Sequence, residues 1–312
     1  MENKFDVIII GAGAAGLTAG IYLSRAKVKT LILNEGTVGG QMVLTHEIAN
    51  YPGVESISGY QLARNMKNQA VKFGCTIKSN IKITNYNFND DVKSVEINSK
   101  EVYYSDAVII ATGGKSRMIG APGETDFKGK GISYCATCDG DFFQDKIIIV
   151  VGGGNSALEE AVSLTKYASK VTIVHQFDHF QAFEHYVEEA QNNSKIDFIM
   201  ESTISEFIGE DKLTGVNIKN LSTNEIVFKK IDGVFIFIGY VPNTEEFADK
   251  VALNKWNEIL VDSNMETNIP GVFAAGDSIA KKYRQVTTAV ADGTIAALSA
   301  ANYINERKKE LV

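Results

Sequence analysis

The sequence predicts an α/β protein made of two dinucleotide-type domains, the second inserted into the first. Three observations carry this. A β-branched run, Phe5 to Ile10, leads straight into Gly11-Ala12-Gly13-Ala14-Ala15-Gly16. The same order restarts at Lys146 to Val151, followed by Gly152-Gly153-Gly154-Asn155-Ser156-Ala157, with the two lead glycines 141 residues apart. Two segments rich in Pro, Gly and Asn, Gly120-Ala121-Pro122-Gly123 and Gly239-Tyr240-Val241-Pro242-Asn243, bracket the second start. Two Rossmann-like, three-layer domains follow from that spacing more readily than one long domain.

In chain order, Phe5 to Ile10 reads as a strand buried on both faces of a parallel sheet. Ala14 to Ala26 follows as a helix and Val28 to Leu33 as the second strand, closing a βαβ unit. Short alternating segments with Asn and Asp turns, from Ile77 to Tyr104, predict a small antiparallel layer added to the first domain. Val108 to Gly114 then reads as a returning strand that ends at a cofactor or a domain crossing. The inserted domain is expected over residues 116–245, with a helix from the second glycine loop through Ala168 and a strand from Lys170 to Val174. The first domain, residues 1–115, resumes at 246–312 with a strand at Gly271 to Ala275 and a helix from about Gln285 to Lys308.

Composition narrows the class. Hydrophobic residues at 45% and charged residues at 22% are ordinary globular usage, which disfavours disorder. No apolar run approaches the ~18 residues of a membrane span, so no membrane is expected as a partner. The first strand begins so soon after Met1 that no secretory signal fits, and a cytoplasmic protein is expected. A net charge of −7 argues weakly against nucleic acid. Three cysteines, Cys75, Cys135 and Cys138, suit a redox pair plus one buried packing thiol rather than a disulfide scaffold.

The first fingerprint has the context its chemistry needs. Glycines permit a tight turn and close backbone approach, and the helix start offers N–H groups to a pyrophosphate. Asn34-Glu35, about 20 residues on, is the expected ribose reader. The second fingerprint also fits a dinucleotide, although such a loop can persist for packing alone.

Cys135-Ala136-Thr137-Cys138-Asp139 lies between the two fingerprints. Cysteines three apart can close a small disulfide, and a thiolate in such a pair can be stabilised below the usual ~8.5. The adjacent Asp139 carboxyl can shuttle protons to a departing thiolate, or cap a turn. A zinc site with His175 and His179 is the main competing reading. It is disfavoured because 36 residues separate Cys138 from His175, against about 12–15 in a compact finger.

Over essentially its whole length the chain resembles the low-molecular-weight thioredoxin reductase family. The resemblance rests on the Gly11 fingerprint, Gly39-Gly40-Gln41, Asn50-Tyr51-Pro52-Gly53, Ala111-Thr112-Gly113, Cys135 to Gly140, the Gly152 loop, Ala275-Gly276-Asp277 and Arg284-Gln285-Val286. It implies an FAD site lined by Gly11, Gly13, Ala14, Ala15, Gly16, Asn34 or Glu35, Gly40, Gln41, Asn50, Ala111, Thr112 and Gly113. It further implies Gly276 and Asp277 near the ribityl or phosphate portion, and Arg284, Gln285 and Val286 along the isoalloxazine. By the same resemblance Cys138 faces the flavin, Cys135 attacks the disulfide of thioredoxin, Asp139 is the acid, and the protein is a homodimer.

One stretch departs from that family. NADPH-dependent members carry a His-Arg-Arg run with a further Arg that grips the 2′-phosphate. Here the residues are His175-Gln176-Phe177-Asp178-His179-Phe180-Gln181-Ala182, so all three arginine positions are lost. NADPH is therefore doubtful. The departure resembles the ferredoxin-dependent flavin thioredoxin reductases of anaerobes, which makes ferredoxin the expected electron donor. Lys281, Lys282 and Arg284 are a candidate positive face for its docking, beside the plainer reading of a solvated lysine pair. Three alternatives stand beside this reading: NAD(P)H used with atypical nucleotide recognition, a flavin-dependent dithiol oxidase, and a redox-responsive binding protein.

Overall fold

Strand β1 (Lys4–Ile10) is apolar at every position from Val7 onward, as a strand covered on both faces must be. In the computed structural model, which describes residues 3–45 and 47–310, its side chains alternate between two cores. Val7 and Ile9 turn toward helix residues such as Leu17, Ala297 and Ala300. Ile8 and Ile10 turn the other way, toward Ile83, Val95 and Ile97. Burying each such aliphatic side chain contributes roughly 1.5–3 kcal/mol relative to exposure, so the alternation fixes register as well as layering.

The chain continues through α1 (Ala14–Arg25), β2 (Thr30–Asn34), α2 (Gly59–Lys72), β3 (Thr76–Ser79), β4 (Ile83–Asn87), β5 (Lys93–Ile97), β6 (Glu101–Ile110) and β7 (Gly114–Ser116). Next come β8 (Ile132–Ser133), α3 (Ala136–Asp139), β9 (Ile147–Val151), α4 (Asn155–Leu164), β10 (Lys170–Val174), α5 (Glu184–Gln191) and β11 (Ile196–Ile199). The last elements are β12 (Ser202–Gly209), β13 (Leu213–Asn220), β14 (Ile226–Lys230), β15 (Gly233–Ile236), β16 (Tyr240–Pro242), β17 (Val272–Ala274) and α6 (Val286–Glu310). Two units divide them: residues up to Lys115 with those from Val241 onward, and Ser116–Tyr240.

In the first unit the strand order is β3-β2-β1-β6-β5-β4, with β17 also paired to β6. The antiparallel layer expected over Ile77 to Tyr104 is present as β4, β5 and the start of β6, but as an extension of the main sheet. β6 is one ten-residue strand that pairs antiparallel with β5 at Glu101 to Ser105, parallel with β17 at Val108 to Ile110, and parallel with β1 from Tyr104 to Ile110. β3, at the start of the same stretch, is parallel to β2 and belongs to the main sheet. Alternation along a sequence shows that a strand is half-buried; it does not show which neighbour it joins.

The second unit repeats the layering. Its parallel sheet has the order β11-β10-β9-β15-β8, and β12-β13-β14 form an antiparallel sheet. Ile148, Val150 and Ile173 face α4 through Leu158, Ala161 and Leu164, while Ile149, Val151 and Val174 face Ile204, Val216 and Ile218 of the antiparallel sheet. α4 ends at Leu164, short of the expected Ala168. There the carbonyls of Thr165 and Ala168 accept hydrogen bonds from Lys195 Nζ at 2.7 and 3.1 Å, which satisfies the chain end without another helical turn.

The second crossing falls at 240/241 rather than at the expected 245/246. Asn243 is the reason. Its N–H donates to the Gly113 carbonyl at 2.9 Å, its Nδ2 donates to the Thr112 carbonyl at 3.0 Å, and its own carbonyl accepts from Thr112 Oγ1 at 2.6 Å. A residue read as linker is thus part of the first unit.

Candidate functional site

In the first unit the glycine loop is held from several sides. Gly11 has φ +105°, and a Cβ there would lie 2.3 Å from the Ala111 carbonyl oxygen, so only glycine permits this approach of the loop to the end of β6. Ala12 N–H donates to Asn34 Oδ1 at 2.9 Å, and the Ala12 carbonyl accepts from Gly39 N–H at 2.8 Å. Gly40 and Gln41 open a short 3-10 turn, Gly40–Leu44, beside that contact, and Gln41 is exposed. Ala14, Ala15 and Gly16 form the buried first turn of α1, with Gly13 as its cap.

Of the two expected ribose readers, Asn34 acts as a staple of the loop, because its Nδ2 also donates to the Gly36 carbonyl at 2.5 Å. Glu35 accepts the Ile83 N–H at 2.8 Å through one carboxylate oxygen. Asn50 and Gln285 meet through a 3.3 Å hydrogen bond, just before Val286 starts α6. Gly276 N–H donates to Asp292 Oδ2 at 3.2 Å. Lys281 and Asp292, which sequence reasoning did not assign here, brace this end through a 2.6 Å ion pair.

These residues fit a dinucleotide cofactor. Asp277 is largely buried; its Oδ1 lies 3.6 Å from Lys281 Nζ and has no hydrogen-bond partner among the described residues. Burial pushes its carboxyl above the ordinary range, against the opposing pull of Lys281 and Arg284. Buried polar atoms without partners are uncommon, and a ligand hydroxyl is a natural partner for this one. Around Gly13 the space is open, with nothing within 4 Å of a notional Cβ.

The expected positive docking face is corrected by the same geometry. Lys281 is half-buried against Asp292 and Asp277, and Arg284 is ion-paired with Glu258. Of the three cations Lys282 alone is exposed, with its ammonium 5.2 Å from the Tyr283 ring centroid.

In the second unit Cys135 and Cys138 form a disulfide, with Cα atoms 5.3 Å apart. Cys135 caps α3, whose last residue is Asp139. Asp139 Oδ2 accepts a hydrogen bond from Ser133 Oγ at 2.5 Å, and Ser133 Oγ in turn accepts the Cys135 N–H at 3.1 Å. Burial raises the Asp139 carboxyl above the ordinary range; the Ser133 hydrogen bond opposes this and the Asp141 charge adds to it. Ser133 went unnoticed in the sequence, where a serine two residues before a cysteine carries no recognised signal. Cys75, the third cysteine, is 4% exposed and its thiol is pushed up to about 11 by burial, so it is an inert packing residue.

The raised Asp139 pKa has a measurable consequence. The folded chain binds this proton more tightly than the unfolded chain, so stability is lost as pH rises from the ordinary carboxylate value through the raised one. Asp139→Asn should therefore melt higher than the parent at pH 8, with the gap closing toward pH 4, while dithiol exchange slows. Paired melting curves at the two pH values check the sign.

His175 does not join the cysteines. It is buried at the end of β10, and a Cβ on Gly153 would lie 2.4 Å from its ring, so the ring and the second glycine loop are in close contact. Phe180 stacks on the ring with centroids 5.7 Å apart. Burial pushes the His175 imidazole down, so it carries no charge near neutral pH. Gln181 N–H donates to the Gly153 carbonyl at 2.8 Å, and Phe183 N–H to Asn155 Oδ1 at 2.8 Å, which folds residues 176–183 back along the loop. Gln176, Phe177 and Gln181 are exposed. No cluster of three or more His, Cys, Asp or Glu suited to a metal occurs among the described residues, and no described helix is long and apolar enough to cross a membrane.

Two dinucleotide-type units, one with a disulfide beside a raised carboxyl, define a flavoprotein oxidoreductase acting on a disulfide. The chain belongs to the pyridine nucleotide-disulphide oxidoreductase family, which it matches over residues 5–293. It is 47% identical to the 34.2 kDa protein in the rubredoxin operon of Clostridium pasteurianum, over 97% of this chain and 98% of that one. It is 45% identical to the thioredoxin reductase of Peptoclostridium acidaminophilum, over 99% of this chain and all of that one. Among solved structures, the thioredoxin reductase of Streptococcus pyogenes MGAS5005 is similar with a TM-score of 0.94 at 40% identity, over 98% of this chain and 100% of that one.

Proposed function

We propose that this protein is an FAD-dependent disulfide reductase that reduces thioredoxin through the Cys135–Cys138 dithiol, with reduced ferredoxin rather than NADPH as electron donor. The observation that carries the choice of donor is the set of side chains along the second glycine loop. Between Lys170 and Lys195 there is no lysine or arginine, while Asp178, and Glu184 next to the loop-bonded Phe183, are acidic. Asp178 is held below the ordinary carboxylate range by His179 and stays ionised, and His175 is uncharged. A 2′-phosphate dianion arriving here would meet negative charge where guanidinium groups are needed. The same reading includes a homodimer in the cytoplasm.

FAD would be held by the Gly11 to Gly16 loop, Gly40, Gln41, Asn50, Ala111 to Gly113, Gly276, Asp277 and the Arg284 to Val286 segment, with Asn34 and Glu35 supporting the loop. When bound, it supplies the conversion of single electrons into a pair.

The chain's own residues carry the rest of the reaction. The Cys135 thiolate attacks one sulfur of the thioredoxin disulfide; that S–S bond breaks and the leaving sulfur takes a proton. The Cys138 thiolate then attacks Cys135 Sγ, the Cys135–Cys138 bond re-forms, and the second thioredoxin sulfur leaves and takes a proton. One disulfide is reduced as another forms, and the two protons of the enzyme dithiol go to thioredoxin. Asp139 holds and returns a proton beside the pair.

A nicotinamide-driven thioredoxin reductase with atypical nucleotide recognition is the second reading. It is favoured by the glycine turn of Gly152 to Asn155, which keeps the geometry of a pyrophosphate loop. Anaerobic turnover separates the two. With reduced ferredoxin the enzyme should form thioredoxin thiols at two electrons per disulfide; with micromolar NADPH or NADH it should form almost none. Equal turnover with NADPH would overturn the choice of donor, and turnover with oxygen and a small dithiol in place of thioredoxin would favour the oxidase reading.

A further inference from the structure

We propose that Ser133 is a positioning residue for the acid: its hydroxyl holds Asp139 by Oδ2, so that Oδ1 carries the transferable proton beside the cysteine pair. The inference rests on the roles given to Cys135, Cys138 and Asp139 above.

Ser133 lies on β8, paired with Phe235 of β15, and is 5% exposed. It is therefore fixed by a buried sheet rather than by the loop that carries the cysteines. Its oxygen makes two kinds of contact. It accepts the Cys135 N–H at 3.1 Å, which fixes one lone-pair direction. Its proton has two acceptors in range, Asp139 Oδ2 at 2.5 Å and the Cys135 carbonyl at 3.3 Å. The shorter bond to the chargeable acceptor wins, because charge-assisted hydrogen bonds are about twice as strong as neutral ones.

One hydroxyl thus ties the backbone of the attacking cysteine to the carboxyl four residues on, across α3. With Oδ2 engaged as acceptor, protonation falls on Oδ1. The Ser133 bond favours the carboxylate and opposes burial, so it brings a carboxyl raised by its surroundings back toward a range where it can both give and take a proton. Asp141 is the charged group that acts on Asp139 alongside it.

The test is the pH profile of the exchange half-reaction, measured by mixing pre-reduced, FAD-loaded enzyme with oxidised thioredoxin. Ser133→Ala should lower the plateau rate about tenfold, the scale of one lost hydrogen bond to a charged group. It should also move the alkaline limb upward by about one pH unit, because the carboxyl loses the bond that stabilises its ionised form. Ser133→Thr keeps the hydroxyl and should keep the parent limb. In an Asp139→Asn background, Ser133→Ala should cost less than twofold. An unmoved limb in Ser133→Ala, a displaced limb in Ser133→Thr, or an undiminished penalty in the Asp139→Asn background would each overturn the assignment. Failure of the underlying reading would look different: Asp139→Asn or Cys135→Ser would exchange at the parent rate.

Discussion

Installing Gln176→Arg, Phe177→Arg and Gln181→Arg together should make NADPH bind at least about a thousandfold more tightly. Each guanidinium restores a charge-assisted contact worth roughly 1.5–3 kcal/mol, and three such contacts acting additively reach the ~4 kcal/mol that corresponds to a thousandfold. The substitutions should be well tolerated because all three side chains are exposed. The bond that fixes residue 181 to the loop is made by its backbone N–H and does not depend on the glutamine side chain. NADPH binding by calorimetry, with NADH as comparison, checks the prediction. The gain should be confined to NADPH, since only the 2′-phosphate needs the new charge. Equal tightening for both nucleotides would mean that the arginines act through loop shape instead.

Cys135→Ser and Cys138→Ser should each reduce thioredoxin turnover on the order of a thousandfold or more, because a hydroxyl can neither form nor resolve a mixed disulfide. The two variants should then separate by trapping. In Cys138→Ser the attacking Cys135 has no resolving partner, so a small aromatic disulfide should leave a stable adduct on it, visible by mass spectrometry. Cys135→Ser should be labelled more slowly, since the remaining thiol is not the proposed attacker. Cys75 will not confuse the assignment, because it is buried and its thiol is held up near 11. An adduct that forms fastest on Cys138 would reverse the two roles.

What could be read from the sequence, and what could not, follows from the range of the forces involved. The two βαβ starts were legible because a glycine loop after a buried strand is a local pattern, and each appears where expected, at β1-α1 and β9-α4. The threefold pairing of β6 was not legible, since one ten-residue strand serves three partners whose identity depends on distant segments. In the site, the cysteine pair and Asp139 announce themselves by spacing. Asn243 was hidden because a Pro-Asn pair looks like linker until its bonds to Thr112 and Gly113 are seen. The supposed basic face failed for a similar reason: sequence shows that Lys281 and Arg284 are cations, but not that Asp292 and Glu258 already neutralise them. The arginine deficit at 176, 177 and 181 is legible in the sequence alone, since no lysine or arginine lies within the stretch from Val171 to Ser194.

Anaerobic titration of the oxidised, FAD-loaded protein, followed at the flavin absorbance, separates the proposed ferredoxin supply of the dithiol from a nicotinamide supply. Reduced ferredoxin should bleach the flavin, and oxidised thioredoxin added afterwards should restore the colour, whereas the same number of electron equivalents offered as NADPH should leave the spectrum unchanged. Complete bleaching by stoichiometric NADPH would contradict the account.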